Sequence, residues 1–219
     1  MINGINSREM ILEILLEIEE GEHSHVAIRN ALSKYQFLPK QDRAFITRVC
    51  EGTLEYRIQI DYIINSFSKV TVDKMKPAIR EILRSAVYQL KYMDSVPDSA
   101  VCNEAVKLAQ RKGFYNLKPF VNGVLRTIAR EMDQVRFPQK EDDLLKYLSV
   151  KYSMPEVLVT RWLEAYGEET TEKILADFLM EHPLTIRCRT YLNSKEEVIK
   201  SLESQGVHVA PAPYLPYAY

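Results

Sequence analysis

The sequence predicts a mainly α-helical chain: an all-α bundle over residues 1–133, linker helices over 134–182, and an incomplete βαβ segment over 183–219. Three observations carry that prediction. Apolar residues recur at helical spacing through the first 180 or so positions. Ser, Asn, Pro and Gly fall where those runs begin and end. Strict alternation of apolar and polar residues is confined to Leu184–Thr190 and the short Val207–Val209.

Asn6-Ser-Arg-Glu9 has the spacing of a capping box, and Ile11, Ile14, Leu15 and Ile18 mark the apolar stripe of a first helix stopped at Gly21. Ser24 starts a second helix with Ala27, Ile28, Ala31, Leu32 and Tyr35 inward. After Pro39 a third runs through Phe45, Ile46 and Val49, and a fourth covers Ile58 to Phe67. Pro77 suits the first turn of a long fifth helix, whose buried stripe is Ile79, Leu83, Ala86, Val87 and Leu90. Val96-Pro97-Asp98 breaks it, and a sixth helix follows to Lys112, closed by Gly113.

The seventh helix, Leu117 to Arg130, contains Asn122-Gly123, a pair that elsewhere signals a hairpin turn. Its flanks refuse that reading, because Phe120, Val121, Val124, Leu125 and Ile128 share one helical face. A glycine inside a helix gives up roughly 1 kcal/mol relative to alanine, so a compensating contact is expected. The expectation is that Gly123 admits a neighbouring helix, with Asn122 bonding across to backbone or to Asn103, ahead of any contact with RNA.

Beyond Arg130 the composition shifts. Arg136-Phe-Pro138-Gln-Lys is a connector, and Glu141–Lys151, Pro155–Tyr166 and Glu168–Met180 read as three more helices, with Ser153 a start signal and Gly167 a stop. After His182-Pro183 the period changes to two. Leu184–Thr190 reads as a strand, Ser194-x-x-Glu197 opens a helix with Val198, Ile199 and Leu202 inward, and Val207–Val209 begins a second strand. Two strands and a helix bury too little to stand alone, so the chain is expected to stop inside a domain.

A composition of 46% apolar and 27% charged residues in 219 is that of a folded chain, not a disordered one. The N-terminus lacks a basic stretch followed by an apolar run, so a cytoplasmic protein without a membrane span is expected. Cys50, Cys102 and Cys188 are too far apart for a zinc site or a disulfide framework. All seven glycines are isolated, which excludes a glycine-rich phosphate or dinucleotide loop. The four histidines lie near element ends. No catalytic residue, metal ligand or cofactor contact is nominated.

Charge, by contrast, is segregated. The net charge is −1, yet residues 1–22 hold one Arg against six Glu, residues 23–130 hold 18 Lys and Arg against nine acids, and residues 131–219 hold 10 against 15. A basic central block is the footprint of a polyanion, since attraction depends on the patch within a Debye length. The alternative is that the acidic first helix folds over the block and neutralises it; on charge alone the two stand level. Within the block Arg43, Arg57, Arg111, Lys112, Lys118 and Arg126 lie at or near element ends and are the candidate RNA-binding residues. Arg48 reads as part of a solvated face with Glu51 and Glu55.

Several stretches together resemble a known family: Asp42-Arg43-Ala-Phe45, Glu51-Gly52-Thr-Leu-Glu-Tyr-Arg57, Ile82-Leu83-Arg84-Ser-Ala-Val-Tyr88-Gln89-Leu90, Val96-Pro97-Asp98-Ser-Ala-Val-Cys-Asn103-Glu104-Ala105-Val106 and Phe120-Val-Asn122-Gly123-Val-Leu-Arg126. They are similar to the NusB-like RNA-binding domain, in the version that opens bacterial 16S rRNA cytosine-C5 methyltransferases of the RsmB/Sun/Fmu family. Pro155-Glu-Val-Leu-Val-Thr-Arg161-Trp162, Tyr166-Gly167 and Pro183-Leu-Thr-Ile-Arg187 resemble the linker helices and the start of the RRM-like (ferredoxin-like) preamble of those enzymes.

The resemblance implies a parent protein that uses S-adenosylmethionine and two cysteines of a C-terminal Rossmann-like domain to methylate C5 of a cytosine. This chain would supply binding and substrate positioning on 16S rRNA, as a monomer or weak dimer. The alternative it implies is a transcription antitermination module that partners RNA and a ribosomal protein. One departure stands out: the antitermination factor has an Arg-rich first helix, whereas the first helix here keeps only Arg8 among glutamates.

Overall fold

The computed structural model describes residues 6–180, 184–189, 191–192, 194–212 and 219. Ten α-helices lie among them: α1 (Ser7–Glu19), α2 (Ser24–Lys34), α3 (Lys40–Glu55), α4 (Arg57–Phe67), α5 (Pro77–Tyr92), α6 (Asp98–Arg111), α7 (Lys118–Glu131), α8 (Leu144–Lys151), α9 (Glu156–Phe178) and α10 (Lys195–Ser204). The chain forms two units, one through Asp177 and one from Phe178 onward.

In the first unit α5 is the axis. Its residues Glu81 to Gln89 are all buried, and α1, α3, α4, α6 and α7 pack around it, with α2 against α1 and α3. The apolar stripes expected for these helices form one core that includes Ile11, Ile14, Leu15, Ile46, Val49, Ile60, Ile79, Leu83, Val87, Val121, Leu125 and Ile128. Burying such a set supplies the main driving force for the bundle.

Gly52 on α3 faces Tyr88 of α5 directly. A Cβ placed there would lie 2.1 Å from Cζ of Tyr88 on α5, so the tyrosine ring occupies the space of the absent side chain. Tyr88 then joins Tyr56 and Tyr92 in an aromatic cluster, the latter two stacked with centroids 4.2 Å apart.

The core also holds charge. Arg84 is 4% exposed. It grips Asp61 of α4 bidentately, Nε to Oδ1 at 2.7 Å and Nη2 to Oδ2 at 2.6 Å, and donates from Nη1 to Glu81. Burial opposes its charge, but the Asp61 and Glu81 contacts outweigh it and raise the guanidinium pKa. One turn earlier Arg80 pairs with Glu19 at the end of α1 and donates to the Val72 carbonyl, so one row of ions fastens α1, α4 and α5.

The segment after α7 and helix α8 dock on α4. Gln59 donates to the carbonyls of Val150 and Lys151, Ser153 Oγ accepts from the Ile58 N–H at 3.0 Å, and Tyr62 donates to the Arg136 carbonyl at 2.7 Å. Leu148, Val159 and Leu175 make a small core of their own. Asp143 caps α8, leaving Glu141 and Asp142 ahead of the helix, and Gly167 at φ 74° breaks α9 where the sequence placed a stop.

In the second unit α10 has the full capping box, Ser194 Oγ accepting from the Glu197 N–H while Glu197 accepts from the Ser194 N–H. The strands of the expected βαβ segment are not formed among the described residues. Ile186 exchanges two backbone hydrogen bonds with Tyr219, at 2.7 and 3.0 Å, and the described residues hold a single bridge but no strand. Alternation alone does not make a sheet; a strand needs a neighbouring ladder, and residues 207–212 supply none to 184–189. His182-Pro183, Thr190 and residues 213–218 lie outside the described residues.

Candidate nucleic-acid interface

The structure distributes the six nominated cations over several places. Arg43, in the first turn of α3, donates from Nη1 to the Leu32 carbonyl at 2.9 Å, so it closes the end of α2. Arg57, half-buried, begins α4 beside the α8 docking contacts. Most of the length of α3, about 18 Å from Arg43 to Glu55 at 1.5 Å per residue, lies between them.

Lys112, just past α6, reaches α1: its ammonium lies 3.1 Å from Glu9 and 3.0 Å from Glu13. Burial works against its charge, but the two carboxylates outweigh it and hold its pKa above the ordinary lysine value. At this one cation of the basic block the acidic first helix supplies the counter-charge. Glu9, placed by its spacing to close a capping box, is spent on Lys112, while Asn6 alone caps α1 by accepting from the Arg8 N–H at 2.9 Å.

Arg111, Lys118 and Arg126 are not neutralised in this way. Arg111 is exposed at the end of α6 and lines a groove of about 460 Å³ together with Arg8, Lys107, Asp42, Glu104 and Phe37. Lys107 there is paired with Glu104 at 2.7 Å. Lys118 and Arg126 lie on one face of α7, with Asn122 between them at four-residue spacing. Arg126 donates from Nε to Asn122 Oδ1 at 2.9 Å and is otherwise exposed.

Arg8 was not nominated by the sequence. Its guanidinium sits at the groove with Nε donating to Gln89 Oε1 at 3.2 Å and its Cζ 5.3 Å from the Phe45 ring centroid. Burial lowers its pKa, with Glu104 opposing, and no carboxylate among the described residues pairs with it within 4 Å. The signal that could have found it was its isolation, a lone Arg in the first turn of a helix otherwise full of glutamate.

The expectation for Asn122-Gly123 is corrected. Gly123 is exposed, and a Cβ there would meet nothing within 4 Å, so no helix approaches it. Asn122 bonds to Arg126 on its own helix rather than across to Asn103.

The bundle has a counterpart among known proteins. Residues 5–130 match the model of the NusB family. The chain belongs to that family. The NusB-family bundle is α1 to α7, the part that carries every nominated cation. Residues 154–219 match a second model, the RsmF/B-like methyltransferase ferredoxin-like domain.

The probable ribosomal RNA small subunit methyltransferase B of Bacillus subtilis (strain 168) is 32% identical over 202 residues, covering 92% of this chain and 44% of that protein. The chain thus spans under half the length of that curated relative. The crystal structure of PH0851 superposes with a TM-score of 0.69 at 23% identity, covering 98% of this chain and 48% of that one. Antitermination factor NusB, solved with NusE and dsRNA, gives a TM-score of 0.52 at 21% identity over 57% of this chain and 93% of that one. At these identities both structures establish likeness of fold.

Proposed function

We propose that this chain is the RNA-binding, substrate-positioning region of a small-subunit rRNA methyltransferase acting on C5 of a cytosine. The observation that carries the reading is the order of the two family matches, a NusB bundle followed by an RsmF/B-like ferredoxin-like segment in one chain. The cations that form no ion pair among the described residues, Arg8 and Arg111 at the groove and Lys118 and Arg126 on α7, are suited to phosphate oxygens. Arg43, Arg57 and Lys112 also belong to the nominated set, although Arg43 and Lys112 already serve contacts within the bundle. Contacts of this kind fix the position of an RNA and leave its sequence to be read elsewhere.

S-adenosylmethionine, the methyl donor this reading implies, finds no fit among these residues. The seven glycines are isolated, and burial pushes the Cys50 and Cys102 thiols above their ordinary range, away from a nucleophilic thiolate. In this proposal the residues here bind and orient, and methyl transfer belongs to other residues of the parent protein. No helix among the described residues is long and apolar enough to cross a membrane, and the proposed setting is the cytoplasm.

The second reading, an antitermination-type module that binds RNA with a ribosomal protein, is favoured by residues 5–130 taken alone. The experiment that separates them is a gel-shift titration of the chain against a small-subunit rRNA stem–loop, with and without ribosomal protein. Binding of the RNA by the chain alone supports the methyltransferase reading; binding that appears only with the ribosomal protein supports the other; no binding in either arm removes both.

A further inference from the structure

Gly123 is a glycine the fold does not ask for. It lies inside α7 in ordinary helical backbone, unlike Gly21, Gly113, Gly167 and Gly206, whose φ is positive. It is exposed, and a Cβ there would touch nothing within 4 Å. An alanine would fit the same place and favour the helix. Within this chain, then, the missing side chain serves neither packing nor backbone conformation.

Its surroundings show what it can serve. Residues 98–130 hold six Lys and Arg against two acids. Lys112 is neutralised by Glu9 and Glu13, Lys107 by Glu104, and Arg130 is paired with Glu131. Of the cations on α7 that leaves Lys118 and Arg126, and Arg126 is steadied by Asn122, the residue beside Gly123. Among the described residues the terminal nitrogens of Arg126 have no protein acceptor.

We propose that the face of α7 around Gly123, with Lys118, Asn122 and Arg126, is a seat for the RNA phosphodiester backbone. The bare glycine lets a strand lie against the helix, and the braced Arg126 fork meets a phosphate. Guanidinium geometry matches two phosphate oxygens, and holding the side chain in place in advance lowers the entropy lost on contact. The Asn122 amide N–H groups, whose carbonyl oxygen is taken by Arg126, remain to donate to a phosphate or a ribose hydroxyl. This inference rests on the RNA-binding reading and adds to it a contact determined by the absence of a side chain.

The test uses the 219-residue chain, its Gly123→Ala, Gly123→Leu and Arg126→Ala variants, and a fluorescently labelled small-subunit rRNA stem–loop. Gly123→Ala is expected to raise Tm by about 2–4 °C while weakening RNA binding a few-fold. Gly123→Leu folds as well as the parent and weakens binding by about tenfold, and Arg126→Ala also weakens it and makes the salt dependence shallower by about one unit of slope. A more stable protein with poorer binding is a combination that a structural role for Gly123 does not produce. If Gly123→Leu binds RNA as the parent does, the seat is overturned and the bare face is left to a protein surface. If the parent itself fails to bind, the RNA reading falls and this inference with it.

Discussion

The ring of Tyr88 on α5 lies in the space that a side chain at Gly52 on α3 would occupy, 2.1 Å from where its Cβ would stand. The ring is 5% exposed and packed beside Tyr56 and Tyr92, so it has little freedom to retreat. Gly52→Ala therefore overpacks the α3–α5 contact and is expected to destabilise the bundle by about 1–3 kcal/mol. Thermal melting of the variant checks this, and Gly52→Ala combined with Tyr88→Leu should recover part of the loss, a coupling read from the double-mutant cycle.

Arg84 is a buried ion that holds two carboxylates. Replacing it by alanine removes the hydrogen-bonded partner of Asp61 and of Glu81, leaving Glu81, only 4% exposed, with Arg80 at 4.0 Å as its remaining cation. Removing one member of a buried ion set typically costs about 3–5 kcal/mol, so Arg84→Ala is expected to lower the urea midpoint markedly. Exchanging Arg84, Asp61 and Glu81 together for apolar residues of similar volume should cost far less.

A pH-dependent tie joins α8 and α9. Glu172 accepts from Lys151, Lys140 and the Tyr152 hydroxyl. The Lys151 hydrogen bond is the largest cause holding its carboxyl pKa down to about 2, against a burial effect in the other direction. A carboxyl depressed in the folded state adds stability above its unfolded pKa of about 4.3, and that contribution disappears as pH falls from there toward 2. The side chain is partly solvated, so its share is about 1 kcal/mol or less. Glu172→Gln should flatten the stability of the first unit between pH 4.5 and 2 relative to the parent, measured by chemical unfolding across that range.

Neutralisation of Lys112 by α1 can be reversed. Glu9→Gln with Glu13→Gln removes both carboxylates that face its ammonium and adds two units of positive charge at the edge shared with Arg111. If that edge meets RNA, affinity should rise several-fold at low salt and the dependence on salt should steepen. Fluorescence anisotropy over a salt series reads both.

How much of this was legible in the sequence depends on the range of each interaction. The seven bundle helices were, because apolar spacing, Pro77 and Gly113 are local signals, and the Gly167 break was legible for the same reason. The Gly52–Tyr88 contact and the Arg84–Asp61 pair were not, since they join positions 36 and 23 residues apart that no periodicity links. Gly123 was visible as an anomaly, but its meaning depended on neighbours, and the expectation of a close helix gave way to an open surface. The charge segregation was plain in composition; that Glu9 and Glu13 would settle on Lys112, about 100 residues away, was not.

The measurement that tests the central claim most directly is the salt dependence of binding between this chain and a small-subunit rRNA stem–loop, compared with an Arg8→Ala, Arg111→Ala double variant. The account predicts log affinity falling linearly with log salt at a slope of about −3 or steeper for the parent, shallower by about two units in the variant. A flat response in the parent, or an identical slope in the variant, would contradict it.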